Sequence, residues 1–582
     1  MKTLSELNKY FIKYKNKLAL GILFIIISDV SQVIIPFFLK EAIDSFKENI
    51  TIESIVKYAL FIVVAAVISG IFRFFIRETI IVVSREIEYD LRQDFWTHIQ
   101  KLSYRFFQNT TTGNIMAHAT NDIAAVRMYV GPAVMYSVDT FIKSIIVITI
   151  LISINPLLTF YTLIPLPFMS VAVYYISKKL HKKFTKIQER FSDLTTKAQE
   201  SFSGIRVVKS YVREKREIYE FTNLSDLYFT SMMDKVKLQA FFMPIIFFIT
   251  GLSVIVIILF GGRMVIDKEL TIGEIAAFVA YIGMLTWPMI AFGWVMNLIQ
   301  QASASMKRLK KMQSEKSEIS DTEITDYSIN DISGKIEFKN VSFKYKEDLP
   351  EVLSNINLKV NNGETLAIVG HTGVGKTSFV NLIPRLYDTV LGDILIDDKP
   401  IKEIPLNILR KNIGIVPQEA FLFSDTIENN ILYGADIKDD NLLKEVSKIS
   451  LLDKDVESFP NKYNTILGER GITLSGGQKQ RTSLARALAI DPKILILDDS
   501  FSAIDTKTEE EILINLKAFM KNRTSIIISH RISTVKDSDK IIVLDDGKIT
   551  EEGTHDELVA KKGIYADIHF KQLLEDELKQ IN

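Results

Sequence analysis

The sequence contains no cysteine among its 582 residues. That excludes a disulfide framework, a thiolate metal site and a cysteine nucleophile, and it gives no signal for compartment. The chain also lacks a surplus of either charge, since Lys plus Arg and Asp plus Glu each number 70. A balanced chain offers no global field for nucleic acid or for an acidic partner. The N-terminus is basic, but it has no small-residue cleavage site and its apolar run continues too far for a secretory signal. Glycine and proline are missing from residues 79–102 and 177–202, so nothing there breaks a helix. Long apolar runs are absent beyond residue 300.

Before that point they are abundant. Six runs occupy residues 18–39, 58–78, 132–154, 157–177, 241–265 and 273–299. Each is long enough, at ~1.5 Å per residue, to cross ~30 Å of hydrocarbon. Six such runs are too many for the core helices of a soluble protein. The second and third runs, and the fourth and fifth, are separated by long charged stretches, whereas the other connections are short. Long connections therefore share one side. Lys9, Lys13, Lys15 and Lys17 precede the first run and place that side, with the N-terminus, in the cytoplasm. The long stretches read as helical hairpins reaching ~30 Å or more from the membrane. They turn at residues 109–114 and near Gly204. Their charged faces (Arg85, Glu86, Glu88, Asp90 and Arg92, then Lys178, Lys179, Lys182, Lys183 and Lys186) read mostly as solvated. Asp29, Arg73, Asp139 and Lys143 lie in or near the spans. They read either as a polar lining or as a structural ion pair. Asp139 and Lys143, near a span's end, lean to the structural or snorkelling reading.

The chain divides into an amphipathic elbow (1–17), an all-α six-helix membrane domain with long cytoplasmic extensions (18–310), a polar linker (311–334) and an α/β domain (335–582). The last shows short strands alternating with helices and an antiparallel edge. Within it, Gly370, His371, Thr372, Gly373, Val374, Gly375, Lys376, Thr377 and Ser378 form G-x-x-x-x-G-K-T-S between an apolar strand and a helix. That is the setting of a phosphate-binding loop. Glycines turn the backbone N–H groups toward an anion, Lys376 reaches the β/γ-phosphates, and the Thr377 hydroxyl can ligate Mg²⁺. A second apolar strand ends in Asp498 and Asp499. Asp498 is placed to hold Mg²⁺, and Asp499 stands where a general base would face water. Leu474, Ser475, Gly476, Gly477 and Gln478 open another helix as a further anion cradle. One nucleotide does not need two cradles on one chain.

In this order, with Ser529 and His530 following, these motifs resemble the nucleotide-binding domain of ATP-binding cassette (ABC) proteins. With six spans before it, the whole chain resembles a half-size ABC exporter of the multidrug and lipid type. The resemblance implies ATP and Mg²⁺ as ligands and ATP hydrolysis coupled to transport. It implies a multi-pass protein of the cytoplasmic (inner) membrane with its ATPase domain in the cytoplasm. It implies that Tyr345 stacks on adenine, that Gln418 senses Mg²⁺ and the attacking water, and that His530 lies near the γ-phosphate. Glu469 would belong to a loop touching the intracellular hairpins, residues 502–505 to a loop crossing between domains, and Gly113, Asn114 and Gly204 to the coupling helices. The signature at Ser475–Gln478 would close on the other phosphate loop of a dimer, so the partner is a second half-transporter.

One residue departs from the pattern. The family carries Glu where this chain has Asp499. Its carboxylate is one methylene shorter, and a misplacement of ~1 Å can cost on the order of 100-fold in rate. Heterodimeric bacterial exporters resemble this, with Asp in one subunit and Glu in its partner, so a heterodimer is expected ahead of a homodimer. The expected substrate is an amphiphilic or hydrophobic small molecule, suited by Phe241, Phe242, Phe247, Phe248, Trp287 and Trp294, with membrane lipids around it. A homodimeric lipid flippase is the alternative. A cassette ATPase acting on nucleic acid does not fit six spans without a basic surface.

Overall fold

The computed structural model describes residues 2–46, 52–468, 471 and 473–581. Glu469 lies outside them. The chain forms two compact units, residues 1–100 with 111–315, and residues 101–110 with 316–582.

The first unit is built on six long helices: α1 (Lys15–Ser45), α2 (Ile52–Ile99), α3 (Thr112–Ile154), α4 (Pro156–Ser203), α5 (Glu214–Ile266) and α6 (Ile272–Ser314). Each contains one of the six apolar runs. At most 39% of the apolar window is buried in any of them. The rest faces outward, where lipid tolerates it and helical hydrogen bonding satisfies the backbone. The helices outrun the apolar segments because no glycine or proline stops them, as in α2 beyond residue 78. The membrane helix at the C-terminal end runs to Ser314, four residues past the expected linker boundary.

Polar groups fix the ends. Asp44, in the last turn of α1, accepts hydrogen bonds from the Thr271 hydroxyl (2.6 Å) and the Gly273 amide (2.9 Å), capping α6. A Cβ at Gly273 would lie 2.3 Å from the Lys40 carbonyl oxygen, so only glycine admits this approach. In the core, the fully buried Tyr281 donates its hydroxyl to the Val33 carbonyl (3.0 Å). Gly113 and Asn114 are helical, in the first turn of α3, where Thr111 caps the Asn114 amide. Gly204 ends α4, and a short helix, Ile205–Ser210, follows it.

The charged face of α2 is less solvated than expected. Lys9, Lys13 and Lys17, four residues apart, meet Asp94, Asp90 and Glu86, four apart in the opposite direction, at 2.7, 2.6 and 2.6 Å. Two antiparallel helical faces in register produce such a ladder. Lys183 likewise meets Asp234 at 3.1 Å.

The second unit holds two sheets. Strands β1 (Ile336–Phe343), β2 (Leu353–Val360), β4 (Leu391–Ile396) and β5 (Lys399–Pro400) form an antiparallel sheet in the order β2-β1-β4-β5. The other sheet runs β10-β9-β3-β8-β7-β6, comprising β3 (Thr365–Val369), β6 (Ile413–Val416), β7 (Ile494–Asp498), β8 (Thr524–Ile528), β9 (Lys540–Asp545) and β10 (Lys548–Gly553). It is parallel except for β10, the antiparallel edge. Its strands read as continuous apolar runs because both faces are covered. Along β3, Leu366 and Ile368 enter one core while Ala367 and Val369 enter the other. The short helix Tyr104–Asn109 also belongs to this unit.

Candidate functional site

The loop after β3 opens helix α7 (Lys376–Leu382). Gly370, Gly373 and Gly375 have φ of +154°, +91° and +101°. A Cβ at Gly370 would lie 2.3 Å from the Leu544 carbonyl oxygen. These constraints leave glycine as the fitting residue and curl the backbone into an anion-binding nest. The Lys376 ammonium folds back onto the carbonyls of Gly370 and His371, at 2.8 Å each. Burial lowers its pKa, opposed by Asp499 and Asp498. A buried ammonium with only carbonyl partners is poised to take an anion.

The strand β7 delivers Asp498 and Asp499. Asp498 is 5% exposed. Burial raises its pKa, against a hydrogen bond from Thr377. Asp499 turns away at φ +45°, with its amide bonded to the Ile528 carbonyl (2.9 Å). Its carboxylate accepts a hydrogen bond from Gln418 at 3.4 Å. Tyr345 lies just beyond β1, its hydroxyl 2.7 Å from that of Ser378. One cavity of about 330 Å³ gathers Tyr345, Thr372, Gly373, Gly375, Lys376, Thr377, Ser378, Gln418, Asp498, Asp499 and His530. Of the loop, Gly370, His371 and Val374 do not line it.

The second cradle stays apart from this cavity. Ser475 and Gln478 form a reciprocal capping box at the start of α8 (Gly476–Ala489), at 2.9 and 3.2 Å. Gly476 and Gly477 lie against Ala503, where a Cβ on either would come within 3.2 Å of it. Gln480 fastens the same contact, donating to Ser502 (3.0 Å) and accepting from the Ala503 amide (3.0 Å). Gln480 escaped the motif reading, although it stands two residues after Gln478. Tyr387 escaped it too. Its ring packs against Tyr345 (5.3 Å) and Tyr104 (5.8 Å), and its hydroxyl bonds Gln108 (2.5 Å).

The membrane unit contains a cavity of about 850 Å³ whose lining includes Gln32, Arg73, Arg77, Asp139, Lys143 and Trp287. Lys143 is buried between Asp29 (3.1 Å) and Asp139 (3.3 Å). The ion-pair reading therefore holds for Asp29 and Lys143, and snorkelling does not, because Lys143 reaches inward to a carboxylate on another helix. Asp139 and Lys143 nonetheless contribute to the lining. Arg73 bonds Gln32 at 2.6 Å, and neither Arg73 nor Arg77 pairs with a carboxylate among the described residues. Of the six aromatic residues expected to suit a substrate, Trp287 lines this cavity, whereas Phe241, Phe247 and Phe248 face outward.

Comparison with known proteins agrees with this layout. Residues 18–289 match the family described as ABC transporter transmembrane region, and residues 353–502 match ABC transporter. The chain is 34% identical to the multidrug resistance-like ATP-binding protein MdlA of Buchnera aphidicola subsp. Schizaphis graminum, over the full length of both. It is 37% identical to the ATP-dependent lipid A-core flippase of Desulfotalea psychrophila, over 83% of this chain and 84% of that one. The solved structure of a bacterial Atm1-family ABC exporter with ATP bound superposes with a TM-score of 0.80 at 27% identity, covering 96% of this chain and 99% of that one.

Proposed function

This chain belongs to the ABC transporters, and on that premise we propose what it moves and which residues do the work. It is a multi-pass protein of the inner membrane with a cytoplasmic ATPase domain, and it couples ATP hydrolysis to export. In our reading the substrate is an amphiphilic or hydrophobic small molecule, and the working unit pairs this chain with a second half-transporter. The observation that carries the assignment of roles is the single cavity joining the phosphate loop to Gln418, Asp498, Asp499 and His530.

Tyr345 stacks on adenine. The amides of the loop from Gly370 to Ser378 receive the phosphates, and Lys376 exchanges its two carbonyl partners for phosphate oxygens. Thr377, Asp498 and Gln418 hold Mg²⁺. The fit is supported by Asp498, which is buried, raised in pKa by that burial and beside the Thr377 hydroxyl, with Lys376 as the buried cation near it among the described residues. When bound, Mg²⁺ supplies charge neutralisation at the phosphates. Asp499 orients the attacking water and takes its proton, with Gln418 steadying the carboxylate. His530 faces the γ-phosphate. The Ser475–Gln478 cradle serves the nucleotide held by the partner.

Asp499 in place of Glu favours a heterodimer, with this chain's slow site beside a partner's fast one. The test is ATP turnover by the full chain purified alone in lipid nanodiscs, and again after co-expression with a Glu-bearing half-transporter. Near-zero turnover alone, rescued by the partner, is expected. Fast turnover by the chain alone sinks the heterodimer. A second reading, a homodimeric lipid flippase, is favoured by Arg73 and Arg77, two cavity arginines without a carboxylate partner among the described residues.

A further inference from the structure

After β8 the chain passes through Ser529, His530 and Arg531 into the short helix Ile532–Val535. The backbone of this loop decides where the His530 imidazole stands. Two elements hold it. Helix α9 (Thr506–Met520) contributes Glu509, which is buried and pairs with Arg531 and with the Thr534 hydroxyl. The C-terminal helix α10 (Ile564–Ile581) contributes Gln572. Its amide nitrogen donates to the His530 carbonyl (2.5 Å), and its amide oxygen accepts from the Ile532 amide (2.8 Å). One side chain thus brackets residues 530–532 as a neighbouring strand would.

The placement of Gln572 is not accidental to the helix. Tyr565 and Ile568 lie seven and four residues before it, on one face, and pack on the domain core. Tyr565 is fully buried, and its hydroxyl meets Nδ1 of His555 at 2.7 Å. Glu551 accepts from the Ile564 and Tyr565 amides (2.5 and 3.2 Å), fixing where α10 begins. Two turns on, the apolar stripe delivers a glutamine. A carboxamide is the side chain that offers both a donor and an acceptor at that reach.

We propose that Gln572 is a positioning residue for ATP hydrolysis, setting His530 from the C-terminal helix through both backbone bonds. This rests on the reading that His530 acts at the γ-phosphate. It makes α10 a handle on the nucleotide site, so that whatever lifts the helix loosens His530.

The test uses the full chain in nanodiscs, every variant carrying Asp499→Glu so that hydrolysis by the chain alone is fast enough for a further loss to be read. Single-turnover ATP hydrolysis, ATP affinity and hydrogen exchange of the peptide spanning 530–535 are measured for Gln572→Ala, Gln572→Glu, His530→Ala, and His530→Ala combined with Gln572→Ala. Lys571→Ala, exposed on the same helix, is the control. Gln572→Ala is expected to slow hydrolysis on the order of tenfold. It should leave ATP affinity unchanged and speed exchange at the Ile532 amide, which Lys571→Ala does not. Gln572→Glu keeps the accepting half and falls between. In the His530→Ala background the Gln572 substitution should cost nothing more, because the two act through one group. A normal rate in Gln572→Ala, an additive loss, or a loss accompanied by weakened ATP binding overturns the proposal. If His530→Ala itself hydrolyses normally, the reading of His530 fails and takes this proposal with it. A slow His530→Ala beside a normal Gln572→Ala rejects the clamp alone.

Discussion

Asp498 and Asp499 are neighbours in sequence and opposites in environment. Asp498 ends a fully buried strand, and burial raises its pKa. The folded pKa lies above the unfolded one, so protonation stabilises the fold and the ionised form costs stability as pH rises through the folded value. Asp498→Asn removes that cost. It should raise the thermal midpoint of the nucleotide-free chain at pH 7.5 relative to wild type, with the gap narrowing as the pH is lowered and wild-type Asp498 takes up its proton. It should also abolish the extra midpoint gained from ATP with Mg²⁺ over ATP alone, both read by scanning fluorimetry. A higher wild-type midpoint at neutral pH would contradict the burial argument. Asp499 poses the reverse problem of reach. Asp499→Glu extends the carboxylate by about 1 Å and should raise single-turnover hydrolysis by up to about 100-fold. An unchanged rate would mean that the turn at φ +45° already compensates for the shorter side chain.

Elements are joined here by side chains that look ordinary alone. Tyr345, Tyr387 and Tyr104 form a continuous line of edge-to-face rings, with centroids 5.3 and 5.8 Å apart, from the nucleotide cavity to the helix Tyr104–Asn109. Tyr387 is 2% exposed, so it is a packing residue with one polar end. Tyr387→Ala should destabilise the second unit by about 3–5 kcal/mol, the usual cost of emptying a buried aromatic site. Tyr387→Phe keeps the ring and loses the bond to Gln108, at a cost of about 1 kcal/mol. The Phe variant should therefore bind ATP normally. Equal destabilisation by both would show that the hydroxyl outweighs the ring. The lysine ladder along α2 is exposed by comparison, and each pair contributes only ~0.2–1 kcal/mol. Its register is the stronger feature. Exchanging charges in Lys13→Asp with Asp90→Lys should restore the resistance to limited proteolysis at the N-terminus that Asp90→Lys alone loses, and the loss should shrink at high salt.

Across the whole molecule, what was legible in sequence was what is local. The phosphate loop needs only a strand, glycines and a helix within residues 365–382, and the spans need only length and apolarity. What was not legible depends on distant partners. Glu86 and Asp90 read as part of a solvated face because the lysines they meet, Lys17 and Lys13, lie 69 and 77 residues away. Residues 101–110 carry no composition that assigns them to the second unit. Gln572 reads as a surface glutamine until the loop at His530 is folded beside it. The two cradles belong to the same lesson, since their separation is a property of the fold and not of either motif. Ser475 does not line the cavity that holds Lys376. A site that needs both must therefore draw the second from another chain. In a symmetric dimer each chain lends its signature to its partner. A chain carrying Lys376→Ala keeps a working signature, and one carrying Ser475→Arg keeps a working phosphate loop. Each variant alone should be inactive. Co-expressed in equal amounts as a homodimer, random pairing puts one intact site in half of the dimers, about one quarter of wild-type turnover. Recovery at that level means a homodimer with sites completed in trans. No recovery from this pair, with recovery when the Lys376→Ala variant, but not the Ser475→Arg variant, meets a Glu-bearing half-transporter, means that the chain works only beside a different partner.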